Sequence, residues 1–163
     1  SQYKVGSWRD SRVNIGPLVN KNQHAKVVSH IEDALEKGAT LLFGEKKPLV
    51  PFIQPTVISN IKPTMKIESE ETFGPVVAID RFGSVDDAIA RANDSIYGLG
   101  AVVFGQSEAK KVAQQLQAGM IGINQGVGAG GDAPWVGAKQ SGFGFHGSAD
   151  GHRQFAQVTV INH

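Results

Sequence analysis

The sequence has no cysteine among its 163 residues, and this absence removes several kinds of chemistry at once. Disulfide bonds and thiolate metal sites are excluded, although the cellular compartment is not fixed by the same observation. Histidine is also scarce. His24 and His30 lie six positions apart on a predicted helix and do not share a face, which argues against a metal pair. We therefore predict neither a metal centre nor a cysteine nucleophile in this chain.

A strong charge bias and a long apolar run are also missing. Lysine and arginine number 16 against 15 for aspartate and glutamate, so neither nucleic acid nor an anionic membrane surface is predicted as a partner. No apolar run approaches the roughly 20 residues that cross a membrane, and the beginning lacks the basic-then-apolar order of a signal peptide. We therefore expect a cytoplasmic protein with one compact core.

The glycine-rich loop that cradles dinucleotide phosphates between a strand and a helix is absent as well. The run Gly128-Ala129-Gly130-Gly131 is rich in glycine, but it leads into Asp132-Ala133-Pro134-Trp135 with no helical pattern behind it. We interpret it as a flexible loop.

Helical and strand patterns alternate along most of the chain. Asn20 is a suitable cap for a helix over residues 21–37, in which Ala25, Val28, Ile31 and Leu35 recur at helical spacing. Strands are predicted at 39–44, 52–58, 76–82, 98–104 and 120–124, with helices over 84–93 and from 107 to about 119. Because the last three strands alternate with these helices, they should run parallel. The pattern predicts an α/β fold: an open, mostly parallel sheet with helices on both faces.

Residues 68–77 change abruptly from acidic side chains, through Gly74-Pro75, into an apolar strand. The Gly-Pro pair requires a turn before the strand can begin. Glu71 and Phe73 lie two positions apart, so they share one side of an extended segment. A carboxylate beside an aromatic ring suits a ligand with hydroxyls and a flat ring. From the local pattern alone, a solvated acidic loop with Phe73 packed into the core is the favoured alternative.

The loop that follows the last strand is the second candidate site. Ligands of open α/β sheets gather outside the carboxyl ends of strands, and this strand ends at Asn124. Asn124, Gln125 and Asp132 are therefore candidate substrate residues. A plain glycine-rich surface loop is the alternative.

Several short motifs occur in a fixed order: Glu70-Glu71-Thr72-Phe73-Gly74-Pro75-Val76, Ala92-Asn93, Tyr97-Gly98-Leu99, Leu116-Gln117-Ala118-Gly119, Ile123-Asn124 and Lys139-Gln140-Ser141-Gly142-Phe143-Gly144. Together they resemble the C-terminal part of an NAD(P)-dependent aldehyde dehydrogenase. Gly-Phe-His-Gly at 144–147, followed by Gly-His-Arg-Gln-Phe at 151–155, looks closest to the succinate-semialdehyde and related short-aldehyde branch. The resemblance implies that Glu71 binds the hydroxyls of the nicotinamide ribose and that Phe73 packs near the nicotinamide. It also implies that the loop after Asn124 borders the aldehyde tunnel.

The resemblance implies a division into a connector (1–19), part of the α/β catalytic domain (20–147) and a C-terminal oligomerisation strand (148–163). Apolar and polar residues alternate near the end of the chain, which is typical of a strand. In the family this strand pairs with a neighbouring subunit, so we predict a homodimer formed through the segment from Ala156 to Ile161. The cofactor domain and the cysteine nucleophile would lie N-terminal to Ser1, in a missing domain or a separate chain.

The cofactor implied by the resemblance is NAD or NADP, with little reason to expect binding by this chain alone. We predict no catalytic residue here and no aldehyde oxidation by the chain alone. Two alternatives stay open: a non-catalytic oligomerisation or binding module, and one chain of a split enzyme. The module is motivated by the retained C-terminal strand together with two departures from the family motif, Val136 at a glycine position and Phe145-His146 at an Arg-Glu pair. The split enzyme would need a companion chain that supplies the cysteine and the dinucleotide fold.

Overall fold

A computed structural model describes residues 2–128 and 133–162. The chain divides into two compact units, Ser1–Arg81 and Phe82–His163, where the sequence predicted one compact core. Both combine helices with short open sheets, which confirms the predicted α/β class. Across the described residues, no helix combines the length and the apolar character needed to cross a membrane.

The first unit is built around helix α1 (Lys21–Glu36), which begins at the predicted cap. The Asn20 side chain accepts a hydrogen bond of 2.8 Å from the Gln23 amide. The buried face of α1 consists of His24, Val27, His30, Ile31 and Ala34. Ala25 is exposed, so its expected place on the apolar stripe was wrong. Two histidines occupy buried positions that an apolar pattern does not count.

A three-stranded sheet completes this unit, with β1 (Thr40–Phe43) antiparallel to β2 (Thr56–Ser59) and β2 parallel to β3 (Val76–Ile79). A short helix, α2 (Lys66–Ser69), precedes β3. The predicted second strand begins only after Pro55, which has no amide hydrogen to donate to a ladder. The hydrophobic core joins the buried apolar residues of α1 to four residues outside it: Ile53, Ile58, Ile61 and Met65.

The second unit begins with α3 (Val85–Asn93), where the Ser84 hydroxyl accepts a hydrogen bond of 3.1 Å from the Asp87 amide, as its position before the helix predicts. It continues through β4 (Tyr97–Gly98), β5 (Gly100–Val103), α4 (Ala109–Ala113) and β6 (Met120–Ile123). Strands β5 and β6 are parallel, which confirms the predicted pairing. Ile89 is buried, whereas Ala92, expected on the inner face of α3, is exposed.

Helix α4 is much shorter than the predicted helix, because other hydrogen bonds replace its last turns. The Asn93 side chain donates to the Gln115 carbonyl at 2.8 Å and accepts from the Gln117 amide at 2.8 Å. The amides of Gln115 and Leu116 bond the carbonyls three residues earlier, which tightens and ends the helix, and the Gln117 amide is bonded to Asn93 instead of the Ala113 carbonyl.

Two further antiparallel pairs and a short helix end the second unit. Strand β8 (Ala138–Lys139) pairs with β4, and β9 (Phe145–His146) pairs with β7 (Trp135–Val136), before helix α5 (Ala149–Arg153). Residues 156–162 form neither a helix nor a strand. A strand requires a hydrogen-bonded neighbour, and this segment has none within residues 2–128 and 133–162, so pairing between subunits stays a prediction.

Candidate cofactor segment and substrate-side loop

Residues 70–74 run between α2 and β3 and are attached to α1 by alternate side chains. The backbone of Glu70 is extended, with φ −109° and ψ 145°. The Thr72 Oγ1 atom lies 2.6 Å from Nδ1 of His30, and Glu70 Oε2 lies 3.3 Å from Nε2 of the same ring. In an extended segment, successive side chains point to opposite sides. Glu70 and Thr72 contact the helix, whereas the side chains of Glu71 and Phe73 are exposed, so we infer that these two lie on the outer side of the segment.

Both predicted cofactor residues are exposed on that outer side. Phe73 has 71% of its surface accessible, so the alternative that places it in the core is wrong. Within residues 2–128 and 133–162, no side chain or backbone group is hydrogen-bonded or ion-paired to the Glu71 carboxylate. A carboxylate without a partner among the described residues and an exposed aromatic ring thus lie two residues apart.

The backbone at the end of the segment also lies close to α1. The Phe73 carbonyl accepts a hydrogen bond of 2.8 Å from the Gln23 side chain. A β-carbon on Gly74 would lie 2.8 Å from Cγ2 of Val27, so only glycine fits without displacing the helix side chain. The Pro75 carbonyl then accepts a hydrogen bond of 2.9 Å from the Thr56 amide, where β2 and β3 begin to pair.

The substrate-side loop starts with an asparagine whose side chain is already used. Asn124 has a positive φ of 55°. Its Oδ1 atom accepts from the Gly105 amide at 2.9 Å, and its Nδ2 atom donates to the Gly105 carbonyl at 2.8 Å. The side-chain amide of Asn124 therefore connects the backbone after β5 to the end of β6. Gln125 is exposed, and Asp132 lies outside the described residues.

A structural role for Lys139, Asn93 and Ser141 was not predicted from the sequence. The Lys139 ammonium donates to the carbonyls of Asn93 at 2.7 Å and of Ser95 at 2.9 Å. The Ser141 hydroxyl accepts a hydrogen bond of 3.0 Å from the Gly98 amide. These contacts join three motifs within the second unit. The signal available in the sequence was a set of polar side chains inside glycine-rich motifs.

The structure also describes the contacts of Val136 and His146, the two residues that depart from the family motif. Val136 is half-buried in the β7–β9 pair, and its carbonyl occupies the space that a β-carbon on Gly119 would need. The tight backbone contact in this region is therefore made by Gly119. His146 is exposed and stacks on Trp135, with ring centroids 6.5 Å apart and planes inclined by 21°.

Comparison with known proteins identifies the family. The model of the aldehyde dehydrogenase family matches residues 1–161. The chain belongs to this family. It is 41% identical to a probable NADP(+) succinate-semialdehyde dehydrogenase of Sinorhizobium fredii over 97% of this chain and 33% of the relative. Identity to the NADP(+) succinate-semialdehyde dehydrogenase GabD of Escherichia coli is 38%, over 99% of this chain and 34% of the relative.

Solved structures agree with this assignment. An oxidoreductase from Marinobacter aquaeolei superposes with a TM-score of 0.91 at 36% identity, over 96% of this chain and 34% of that one. Betaine aldehyde dehydrogenase from Staphylococcus aureus, solved in complex with NAD+, gives a TM-score of 0.86 at 36% identity, over 94% of this chain and 32% of that one. The chain thus spans about a third of the length of the relatives that it matches.

Proposed function

We propose that this chain forms the nicotinamide-ribose side of the cofactor site of an NAD(P)-dependent aldehyde dehydrogenase. The observation that carries the proposal is the display of Glu71 and Phe73 on the outer side of an anchored segment. Support also comes from relatives named for NADP(+) and from a similar enzyme solved with NAD+.

The two side chains fit the two parts of the ligand. An ionised carboxylate accepts hydrogen bonds only, and its two oxygens suit the paired hydroxyls of a ribose. The Phe73 ring offers an apolar face to the nicotinamide, which would cover part of an otherwise exposed aromatic surface. When bound, the nicotinamide cofactor accepts a hydride from the substrate. Glu71 and Phe73 would bind the ribose and the nicotinamide and orient them.

The chain supplies this part of the site without a nucleophile, because it contains no cysteine. Family chemistry by a cysteine thiolate therefore requires sequence beyond this chain, and we propose that the chain alone does not oxidise aldehydes. On the substrate side, we propose that Gln125 and Asp132 face the aldehyde and that Asn124 fixes the start of their loop. The relatives' names favour a short aldehyde such as succinate semialdehyde.

The direct test uses NADH and a ligand-observed measurement that detects millimolar affinity. In saturation-transfer NMR, a nicotinamide-ribose half-site should saturate the nicotinamide and its ribose protons more strongly than the adenine protons. Glu71→Gln, which keeps the shape and removes the charge, should weaken binding about tenfold or more. Glu45→Gln removes a charge from an exposed carboxylate in the loop after β1 and is the matched control.

Three results would contradict the proposal. These are a signal dominated by the adenine protons, equal affinity in wild type and Glu71→Gln, and no signal in wild type. Formation of NADH by the chain alone from any aldehyde would separately contradict the proposed lack of activity.

A second function is favoured by one further observation. Phe155, Val158, Val160 and Ile161 are each at least 75% exposed in the single chain. Exposed apolar side chains in a segment with strand-like alternation suit pairing with another subunit. We therefore also propose that residues 156–161 form a dimer contact, and that residues 148–163 act as the oligomerisation segment.

A further inference from the structure

His30 is buried in α1 and uses both nitrogen atoms of its ring on the segment that carries Glu71. Its exposed fraction is 1%, and its two partners are Glu70 and Thr72, one on each side of Glu71 in sequence. A buried imidazole normally makes such bonds to avoid the cost of losing water. Here both bonds reach alternate positions of one extended segment.

For a neutral His30 ring, donor and acceptor chemistry gives one arrangement of the protons. An ionised Glu70 carboxylate can only accept, so the ring must donate from Nε2. The neutral ring then has an acceptor at Nδ1, and the Thr72 hydroxyl donates to it. The Thr72 contact is the shorter one, 2.6 Å against 3.3 Å, and the Glu70 side chain is 51% exposed. Thr72 is therefore the stronger of the two attachments.

Two more contacts from the same helix attach the following residues. Gln23 holds the Phe73 carbonyl, and Val27 lies against Gly74. Positions 23, 27 and 30 are spaced by four and three residues, so they share one face of α1. The backbone from residue 70 to residue 74 is thereby attached along its length, while the side chains at 71 and 73 stay free.

We propose that His30 is a positioning residue of the cofactor site: through Thr72, it holds the segment so that Glu71 and Phe73 project to the ligand side. This inference rests on the proposed function of Glu71 and Phe73. His30 touches neither the ligand nor the reacting atoms, and its effect on binding is entirely through the orientation of its neighbours.

Variants at Thr72 test the inference with little risk to folding, because this side chain is only half-buried. Thr72→Val keeps the shape and removes the hydroxyl, whereas Thr72→Ser keeps the hydroxyl. His30→Leu removes the imidazole ring that contacts Glu70 and Thr72, and it provides the background for a double-variant comparison. If the hydroxyl acts through His30, Thr72→Val should have little further effect once His30 is replaced.

Amide hydrogen exchange in the ligand-free chain measures how firmly residues 70–74 are attached to α1. The Gly74 amide donates to the Thr72 carbonyl at 2.9 Å, and the Val76 amide donates to the Gly74 carbonyl at 2.8 Å. Thr72→Val should accelerate exchange at Gly74 and Val76 by about three- to tenfold, as expected for one lost hydrogen bond. Exchange at Ile31, inside α1, should stay unchanged, and Thr72→Ser should restore the wild-type rates.

NADH affinity, measured on the same samples, should fall by a similar factor in Thr72→Val and recover in Thr72→Ser. Unchanged exchange at Gly74 and Val76 would overturn the inference, and so would equal acceleration at Ile31, which would indicate general destabilisation. Faster segment exchange with unchanged NADH affinity would overturn the positioning role. If the segment responds but wild type binds no NADH, the attachment by His30 is upheld and the proposed cofactor function fails.

Discussion

Replacement of Gly74 by alanine should destabilise the first unit by forcing residues 70–74 away from α1. The added β-carbon would lie 2.8 Å from Cγ2 and 3.3 Å from Cγ1 of Val27. Carbon atoms attract best at about 3.5–4.0 Å, so both contacts are repulsive. Val27 is fully buried, and a branched side chain in a helix has one strongly favoured rotamer. It cannot turn aside without strain.

The size of the effect follows from two opposing contributions. Overpacking of a filled core costs about 1–3 kcal/mol. Alanine also restricts the unfolded chain more than glycine does, which returns about 0.4–1 kcal/mol. We expect a net loss of about 1–2 kcal/mol in the free energy of unfolding, and a lower NADH affinity because the segment moves.

Val27→Ala provides the matched comparison, because it removes both γ-carbons that the new methyl group would meet. Alone, it should destabilise the unit by about 2 kcal/mol through the cavity that it leaves. In that background, Gly74→Ala should be neutral or stabilising, since its methyl group enters the vacated space. The two substitutions should therefore show a favourable coupling of about 2 kcal/mol.

The assay must report on the first unit, because two compact units need not unfold together. Urea dependence of amide exchange at Val27 and Ile31 gives the free energy of opening of α1 itself. If Gly74→Ala lowers the free energy of opening equally in the wild-type and Val27→Ala backgrounds, the reasoning is refuted. The contact with Val27 would then not explain why glycine is needed at position 74.

Three other outcomes are expected. Lys139→Met leaves two backbone carbonyls without their charged donor and should destabilise the second unit by about 2 kcal/mol in thermal unfolding; an unchanged midpoint would contradict this. The Lys37 side chain, followed by the Lys66 amide, holds the pKa of the Asp33 carboxyl below its ordinary value of 3.8. A lowered pKa in the folded state stabilises the protein at pH values above the pKa of the unfolded state, and this stabilisation is lost as pH falls through the folded-state pKa. Asp33→Asn should therefore reduce the loss of unfolding free energy on acidification, and an unchanged pH dependence would contradict this. A chain ending at Gln154 should halve the mass per particle in light scattering if the removed segment pairs subunits, and an unchanged mass would exclude that contact.

Local signals in the sequence predicted the elements that local chemistry determines. Asn20 and Ser84 cap their helices as expected, because each side chain bonds an amide three residues ahead. Strands β5 and β6 were predicted with the correct direction, since a helix connects them. The early end of α4 was not predictable, because some of the bonds that replace its last turns come from Asn93, more than twenty positions earlier.

In the candidate site too, some features follow from local sequence and others depend on distant residues. Alternation along an extended segment predicted that Glu71 and Phe73 share a side. It could not show which of two adjacent glutamates is available, because that depends on His30, forty positions away from Glu70. Asn124 was selected by its place at the end of a strand, yet its amide is bonded to Gly105. Long-range partners decided the outcome in both cases.

The arrangement of these partners explains how a connecting segment can hold two exposed side chains, Glu71 and Phe73, in a fixed place. A segment between α2 and β3 has few ladder bonds of its own, so its backbone would be free without other attachments. Gln23, Val27 and His30 provide them from one face of a single capped helix. Because α1 is also the centre of the core, the positions of Glu71 and Phe73 are coupled to the packing of the whole first unit. Substitutions on the buried face of α1 should therefore change cofactor affinity, whereas substitutions at exposed Ala25 should not.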